Sequence, residues 1–415
     1  MEINVHVGGK PGIDCGGFCE FCFYRTVEFN RLHSLALGCA YCPPYQIGCD
    51  YCRKSVTRVE NNFKPLNEIF KDIGQSLMLL GLTGKLNYDD LRVTISGGAD
   101  AFYYPSLTEL VRILKESGIT IHLGYVSGKG IKEISQALDL IKLGMDEVSF
   151  SIFSTDPSLR EKWMHDKYPE KAIKSFELFC QSCDVNASSV VIPGINDKEH
   201  ILKTAEDLEE WGVKSYILRR FANTKKEGLI LNKDGKLIPK ITTHSYQEFQ
   251  ELVHYISQEF PFKVYGLPYY DPKNGSPFAI LKDKNRKYLE TLPPISSDAT
   301  IITGILAFPF IREFINTVSG SDLVNIVVVN QEIADLITRD DLRGVNTDEI
   351  KTNVIIPGGA LVHELQVLEI FGHDKNVIRG PHVLTNHSAQ LDEKKLMENE
   401  YKSFEELIHK INQGV

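Results

Sequence analysis

The chain has 415 residues, 42% of them hydrophobic and 24% charged, with a formal net charge of −9, the balance of a globular protein long enough for two domains. Such a charge excludes a general basic face for nucleic acid. Without an apolar run of roughly 18 residues or more, no membrane span is expected, and the start Met1-Glu-Ile-Asn-Val lacks the basic-then-apolar pattern of a secreted chain, so a cytoplasmic location is expected.

Seven of the nine cysteines lie in the first 52 residues, and in a cytosolic chain such clustering speaks for metal rather than disulfides. A short β-like run, Ile3 to Val7, leads through a glycine-rich turn into Cys15-Gly-Gly-Phe-Cys19-Glu-Phe-Cys22. The spacing C-x3-C-x2-C brings three thiolates onto one face of an iron–sulfur cube and leaves one iron open to a non-protein ligand. A structural zinc loop or free thiols is the competing reading. Next come two C-x2-C knuckles, Cys39 with Cys42 and Cys49 with Cys52, joined through Pro43-Pro44. Four converging thiolates make a closed site for zinc or a rubredoxin-like iron; a second cluster is the rival, and the short spacer favours a single ion.

From about Asn62, helices alternate with apolar strands. Helices are expected over 66–80, 107–117, 131–143, 169–183, 200–211 and 247–259. Strands are expected over 91–95, 120–124, 147–152, 185–192, 215–218 and 262–265. This order predicts βαβ units and a parallel sheet, hence a full or partial (β/α) barrel with its chemistry at the carboxyl ends of the strands. Those ends carry Ser96-Gly97-Gly98-Ala99-Asp100, then a polar loop with Ser127-Gly-Lys-Gly130 suited to ribose or carboxylate contacts, then Phe153-Ser154-Thr155-Asp156, then Pro193-Gly194-Ile-Asn196-Asp197. Gly97 and Gly98 let a ligand approach the backbone. Tyr103-Tyr104-Pro105 follows closely, and a phenolate there could reach an open iron. Cys180 and Cys183 read as buried thiols at a helix end. A turn-rich segment, 267–298, reads as a linker. Beyond it, strands near 323–329 and 354–361, a turn at Gly358-Gly359 able to lie flat against a large ligand, and a charged tail helix over 392–412, read as a solvated face or cap, describe a small α/β domain.

The three-cysteine spacing, with Phe21 before the last cysteine, resembles the radical S-adenosylmethionine (radical SAM) superfamily. There the open iron chelates SAM, and reductive cleavage gives a 5′-deoxyadenosyl radical. Val5-His-Val-Gly-Gly-Lys-Pro-Gly-Ile-Asp-Cys-Gly-Gly-Phe-Cys-Glu-Phe-Cys, the double knuckle, Ile-Ser-Gly-Gly-Ala-Asp, His-Leu-Gly-Tyr-Val-Ser-Gly-Lys-Gly-Ile, Val-Ile-Pro-Gly-Ile-Asn-Asp and Arg220-Phe-Ala-Asn223 together resemble, over nearly the whole chain, the methanogenesis marker protein ten family.

That resemblance implies a cobalamin-dependent radical SAM methyltransferase that C-methylates an arginine, at its sp3 C5, in the α subunit of methyl-coenzyme M reductase, fed by an electron donor. It implies a [4Fe–4S] cluster on Cys15, Cys19 and Cys22 and a mononuclear iron on Cys39, Cys42, Cys49 and Cys52, for which zinc is the alternative. It implies SAM contacts at Gly97 and Gly98, after which Ala99 and then Asp100 follow where a glutamate is common, and a tyrosine, matched by Tyr104, that masks the open iron. Cobalamin is implied by the resemblance alone; the family lacks the usual Asp-x-His-x-x-Gly motif, and so does this chain. The fold class implied is α/β: residues 1–60 a strand, the radical SAM cysteine motif and the four-cysteine loop; 61–266 a partial (β/α) barrel; 267–298 a linker; 299–415 a cobalamin-binding domain. Two other readings stand beside this one. The first is another radical SAM peptide-modifying enzyme with an auxiliary metal site. The second is a metal-stabilised module gripping nucleic acid, against which the acidic charge counts, with only Arg53, Lys54 and Arg58 following the knuckles.

Overall fold

The computed structural model describes residues 1–26, 62–84, 87, 90–230, 235–275, 277–385 and 392–413. Cys39, Cys42, Cys49 and Cys52, expected as a closed metal site, lie outside the described residues. The chain divides into two compact units.

The first unit, among the described residues, comprises 1–26, 62–221 and 237–267. Its elements are β1 (Glu2–His6), α1 (Leu66–Leu82), β2 (Arg92–Ser96), α2 (Leu107–Glu116), β3 (Thr120–Val126), α3 (Ser135–Lys142), β4 (Glu147–Ser151), α4 (Pro157–Met164), α5 (Pro169–Cys180), β5 (Asp184–Val191), α6 (Lys198–Trp211), β6 (Ser215–Arg220), α7 (Tyr246–Glu259) and β7 (Lys263–Leu267). The seven strands are all parallel and pair in sequence order, with β1 and β7 at the two ends. This is the arrangement of an incomplete (β/α) barrel, as the alternation of elements predicts.

Strands such as β3 and β6 are buried almost throughout, as parallel strands covered on both faces must be. On α2, Leu107, Leu110, Val111 and Leu114 recur at helical spacing and form the buried stripe. One short helix, α4, was not expected from the sequence. Asp156 caps it, accepting from the N–H groups of Ser158 at 2.8 Å and Leu159 at 3.4 Å, and Pro157 opens its first turn.

One layer of side chains across the sheet is polar. Neighbouring strands place Thr94, His122, Ser149, Asn186 and Ser215 within reach of one another. The hydroxyl of Thr94 lies 3.1 Å from His122 Nδ1, and His122 Nε2 lies 2.8 Å from Ser149 Oγ. Ser215 donates to Asn186 Oδ1 at 2.6 Å. Burial, and then the Arg92 guanidinium 2.7 Å from Nδ1, pull His122 down to about 4, so it sits neutral between its partners.

The second unit, among the described residues, comprises 222–230, 235–236 and 268–413. It contains β8 (Ala299–Thr303), α8 (Phe308–Thr317), β9 (Val324–Val328), β10 (Asn353–Ile356), α9 (Glu364–Phe371), β11 (Asn376–Arg379) and α10 (Glu393–Asn412). The four strands are parallel in the order β11-β10-β8-β9. The first strand of this unit is therefore flanked by its second and its third, the doubly wound arrangement.

Two expectations need correction here. The segment 267–298 is not a bare linker: Phe278, Ile280, Leu289, Leu292 and Ile295 enter the core beside β8 and α8. Nor is the tail helix a solvated cap. Leu396, Phe404, Leu407, Ile408 and Ile411 on α10 are buried, and Phe404 stacks on Phe314 with ring centroids 3.8 Å apart. Its charges other than Glu400 lie outside that buried stripe.

Glu400 of α10 is wholly buried and accepts from Ile280 N–H at 3.0 Å and the Thr385 hydroxyl at 2.6 Å. Burial outweighs those hydrogen bonds and pushes its carboxyl up to about 7. Between the unfolded carboxyl range and pH 7 the native state holds a proton that the unfolded chain has released. Stability therefore falls as pH rises through that window, by up to roughly 3 kcal/mol, and levels off above it. Glu400→Gln is expected to remove this slope. Melting temperatures of parent and variant measured from pH 4.5 to 8 check it, and a constant difference between them would exclude the effect.

Candidate active site

The carboxyl end of β1 runs into the cysteine loop, and backbone contacts seat that loop on the ends of the neighbouring strands. Gly98 donates its N–H to the Gly8 carbonyl at 3.0 Å. A Cβ on Gly97 would lie 2.7 Å from that same oxygen, so glycine is needed there to let the two turns meet. Within the loop, Gly17 N–H reaches the Gly12 carbonyl at 3.1 Å and Lys10 N–H reaches the Asp14 carboxylate at 2.7 Å. Gly12 N–H points at Cys15 Sγ, 3.0 Å away.

The far side of the loop rests on the end of α4. Glu20 N–H donates to the Trp163 carbonyl at 2.8 Å, and the Cys19 thiol faces the Met164 carbonyl at 3.6 Å. The Glu20 carboxylate meets His165 Nε2 at 2.8 Å and Arg25 as well. Phe21, between the second and third cysteines, stacks on Phe153, centroids 4.8 Å apart and planes 15° apart. Phe153 is fully buried yet has φ +62°, and Ser154 N–H closes back onto the Ile152 carbonyl at 2.7 Å. A tight turn of positive φ at a bulky residue is rare and strained, and such residues cluster at functional sites.

Asp100 and Ser127 are brought together. Asp100 is 4% exposed and accepts from Phe102 N–H at 3.2 Å, Gly130 N–H at 3.1 Å and the Ser127 hydroxyl at 2.9 Å. Burial raises its carboxyl and these donors oppose the rise. Both oxygens serve the protein, so Asp100 joins the ends of β2 and β3 and holds the backbone that faces the cysteine loop.

Beneath them lies Arg160 of α4, which with Asp166 forms an ion pair 2.6 Å long, both side chains wholly buried. The guanidinium also donates to the Ile152 carbonyl at 2.6 Å and the Ser127 carbonyl at 2.7 Å.

The three cysteines are half-buried, with free thiols. Burial first, and then mutual repulsion, push Cys22 up to about 12, while burial pushes Cys19 up to about 11 and raises Cys15. Lys129 acts against that rise at all three. Its side chain is 3% exposed, its ammonium donates to the Gly17 carbonyl at 2.7 Å and it lies 4.0 Å from Cys19 Sγ. Among the described residues, no group of three His, Cys, Asp or Glu side chains is arranged to hold a single metal ion.

The two tyrosines part company. Tyr104 is 4% exposed; its ring packs on Phe63 and its hydroxyl donates to the Lys64 carbonyl at 3.0 Å. Tyr103 turns the other way, and a Cβ on Gly16 would collide with its hydroxyl. The tyrosine at the cysteine loop is therefore Tyr103, not Tyr104. The reason is local: Tyr103 ends the 3₁₀ turn Ala101–Tyr103, while Tyr104 is its cap in extended backbone, so the two side chains leave in different directions. Asp156 serves as a helix cap, and Cys180 and Cys183 are half-buried free thiols.

Lys129, Arg160 and Trp163 were not singled out from the sequence, and Phe153 was read only as part of a strand end. The run Ser127-Gly-Lys-Gly130 was the available signal for the first, a lysine enclosed by glycines at a strand end.

No protein-family model matches the chain, and none of the curated proteins searched does. Among solved structures the chain is similar to SuiB of Streptococcus suis, at 16% identity over 62% of this chain and 46% of that one, with a TM-score of 0.40. It is also similar to methylornithine synthase PylB, at 14% identity over 62% and 61%, TM-score 0.37. A third is a radical SAM methyltransferase from Sphaerobacter thermophilus, at 15% identity over 63% and 66%, TM-score 0.37. The chain spans about half the length of the SuiB structures it matches.

Removing one partner of a buried ion pair leaves the other charged and unsolvated. Asp166→Ala is expected to cost about 3–5 kcal/mol in denaturant unfolding, whereas replacing Arg160 and Asp166 together by Met and Leu costs less than that. Equal or greater loss in the double variant would show that packing, not charge, is what the pair supplies.

Proposed function

We propose that the chain is a radical SAM enzyme, and specifically a cobalamin-dependent methyltransferase acting on C5 of an arginine in the α subunit of methyl-coenzyme M reductase. The observation that carries the first part is the pairing of three thiols on one loop with the buried Lys129 ammonium. A cation enclosed in protein needs an anion, and a thiolate-ligated cluster at Cys15, Cys19 and Cys22 provides it. The donor set fits: three soft sulfurs, on a loop that offers no fourth cysteine, leave a corner for SAM. The arginine and cobalamin parts rest on the ordered motif set from Val5 to Asn223. The second unit supports cobalamin through its strand order: sheets of this kind bind ligands beyond the carboxyl ends of the strands at which the order reverses, here β8 and β10. When bound, the cluster would supply the electron that splits SAM, and the corrin would carry the methyl group.

The residues of this chain do the positioning. Asp100, through Gly130 and Ser127, fixes the turn that faces the cluster loop. Arg160 holds the carbonyls of Ser127 and Ile152, so the turns after β3 and β4 stay in register with the cysteines. Phe21 on Phe153 closes one wall. Gly97 and Gly98 keep their backbone close to Gly8, where a methionine amino group would meet it.

Anaerobic turnover with SAM, cobalamin, a low-potential reductant and a peptide spanning the target arginine tests the reading. A product heavier by one methylene on that arginine is expected by mass spectrometry. SAM cleavage with an unchanged peptide would leave a radical SAM enzyme of another substrate, a peptide maturase among them. A sample that binds no iron would end both readings.

The masking role goes to Tyr103 in place of Tyr104. Tyr103→Phe is expected to change the electron paramagnetic resonance spectrum of the reduced, SAM-free cluster. Tyr104→Phe is expected to leave that spectrum alone and to lower stability by about 1 kcal/mol, the worth of its hydrogen bond to Lys64. The reverse pattern would restore Tyr104 to the role.

A further inference from the structure

Lys129 is held from both sides. Gly128, at φ +75°, packs its backbone on the Phe150 ring, and Ile131 N–H returns to the Gly128 carbonyl at 3.0 Å. Asp100 grips the N–H of Gly130, and Ser127 Oγ lies 3.4 Å from the Lys129 N–H. The turn therefore delivers the long side chain in one direction, toward the Gly17 carbonyl and Cys19 Sγ. The carbonyl accepts one ammonium proton. Among the described residues no carboxylate forms an ion pair with this ammonium, and the nearest group able to become an anion is the sulfur.

We propose that Lys129 is a tuning residue for the cluster, a fixed positive charge that raises its reduction potential and so makes the electron transfer that precedes SAM cleavage more favourable. This rests on the reading of Cys15, Cys19 and Cys22 as cluster ligands. One electron passes from a low-potential donor to the cluster; the donor is oxidised by one electron, the cluster is reduced by one, and no proton moves. The reduced cluster carries one more negative charge than the oxidised one. An ammonium about 4 Å from a ligating sulfur, shut off from water, favours the more negative form far more than it would in bulk solvent. Net charge, hydrogen bonds to sulfur and exposure are the terms by which a protein sets such a potential, and Lys129 changes the first two at once.

Wild type, Lys129→Met, Lys129→Gln and Lys129→Arg are reconstituted anaerobically with iron and sulfide and titrated with dithionite, without SAM, under paramagnetic resonance detection. The Met and Gln variants are expected to titrate at lower potential, with at least a tenfold smaller reduced-to-oxidised ratio at a fixed poise, which is 59 mV for a one-electron couple. Arg, which keeps the charge, is expected to stay with the wild type. Neutral variants that titrate with the wild type would overturn the proposal. Should the neutral variants keep wild-type circular dichroism but take up no iron while Arg does, the need for a cation is shown at assembly instead. Loss of iron in the Arg variant too would assign Lys129 to packing and overturn the proposal. A wild type that binds no iron would strike the cysteine reading itself, a different result from unchanged potentials.

Discussion

The site-bearing end of the first unit depends on one buried guanidinium. Arg160 has no contact with water, and its donors go to Asp166, Ile152 and Ser127. These partners lie on the segment after α4 and on the turns that follow β4 and β3. A charge so placed is costly unless paired and hydrogen-bonded, and a planar fork satisfies several acceptors at once where an ammonium would not. Removing a partner is therefore penalised more than apolar contacts alone would penalise it. The cysteine loop inherits this rigidity, because Glu20 and Cys19 rest on the carbonyls of Trp163 and Met164 at the end of the same helix.

Rigidity alone does not make thiols into ligands. Burial drives Cys19 and Cys22 well above the ordinary thiol range, so the loop holds protons that a metal, on the proposed reading, would have to displace. The Cys19 thiol has a carbonyl to face in that state; a thiolate there would face the same oxygen without a proton between them. Lys129 favours the anionic sulfur at all three cysteines. The strained turn at Phe153 belongs to the same economy: its ring fills the wall beside Phe21, and the surrounding core holds a backbone geometry costing on the order of 1–3 kcal/mol.

How much of this was legible follows from which signals are periodic. Alternating apolar strands and helices announce a parallel sheet, because both faces of each strand are covered and the helices carry a stripe such as Leu107, Leu110, Val111 and Leu114. The helix Pro157–Met164 carries only Arg160 and Met164 inward, so no stripe marks it, although Asp156-Pro157 is a fair start signal. Segment 267–298 looked like a linker because Pro268, Pro272, Gly275 and Pro277 are turn residues; its apolar residues are spaced irregularly, and a core built from 3₁₀ turns has no period to read. The tail helix had the period, with Phe404, Leu407, Ile408 and Ile411 on one face, and its abundant Glu and Lys obscured it. The choice between Tyr103 and Tyr104 depends on where a single 3₁₀ turn ends, and Lys129 on where one long side chain is aimed. Neither is written in spacing.

The two units divide stability and chemistry differently, and the side chains show why. The second unit packs Phe278 and Phe314 against Phe404, and the buried carboxylate of Glu400 ties Ile280 and Thr385 to its last helix. The first unit places Thr94, His122, Ser149, Asn186 and Ser215 across neighbouring strands of its sheet, where a closed (β/α) barrel would stack Val, Ile and Leu in layers. A layer of satisfied hydroxyls, amide and neutral imidazole contributes less apolar burial than such a core. It does not need to be sealed by further side chains above it, because each polar group already has a partner in its own layer. The carboxyl ends of the strands are then left to turns fixed by Asp100, Arg160 and glycines rather than to core packing, and that is the condition for a large polar ligand to take the space a hydrophobic plug would occupy.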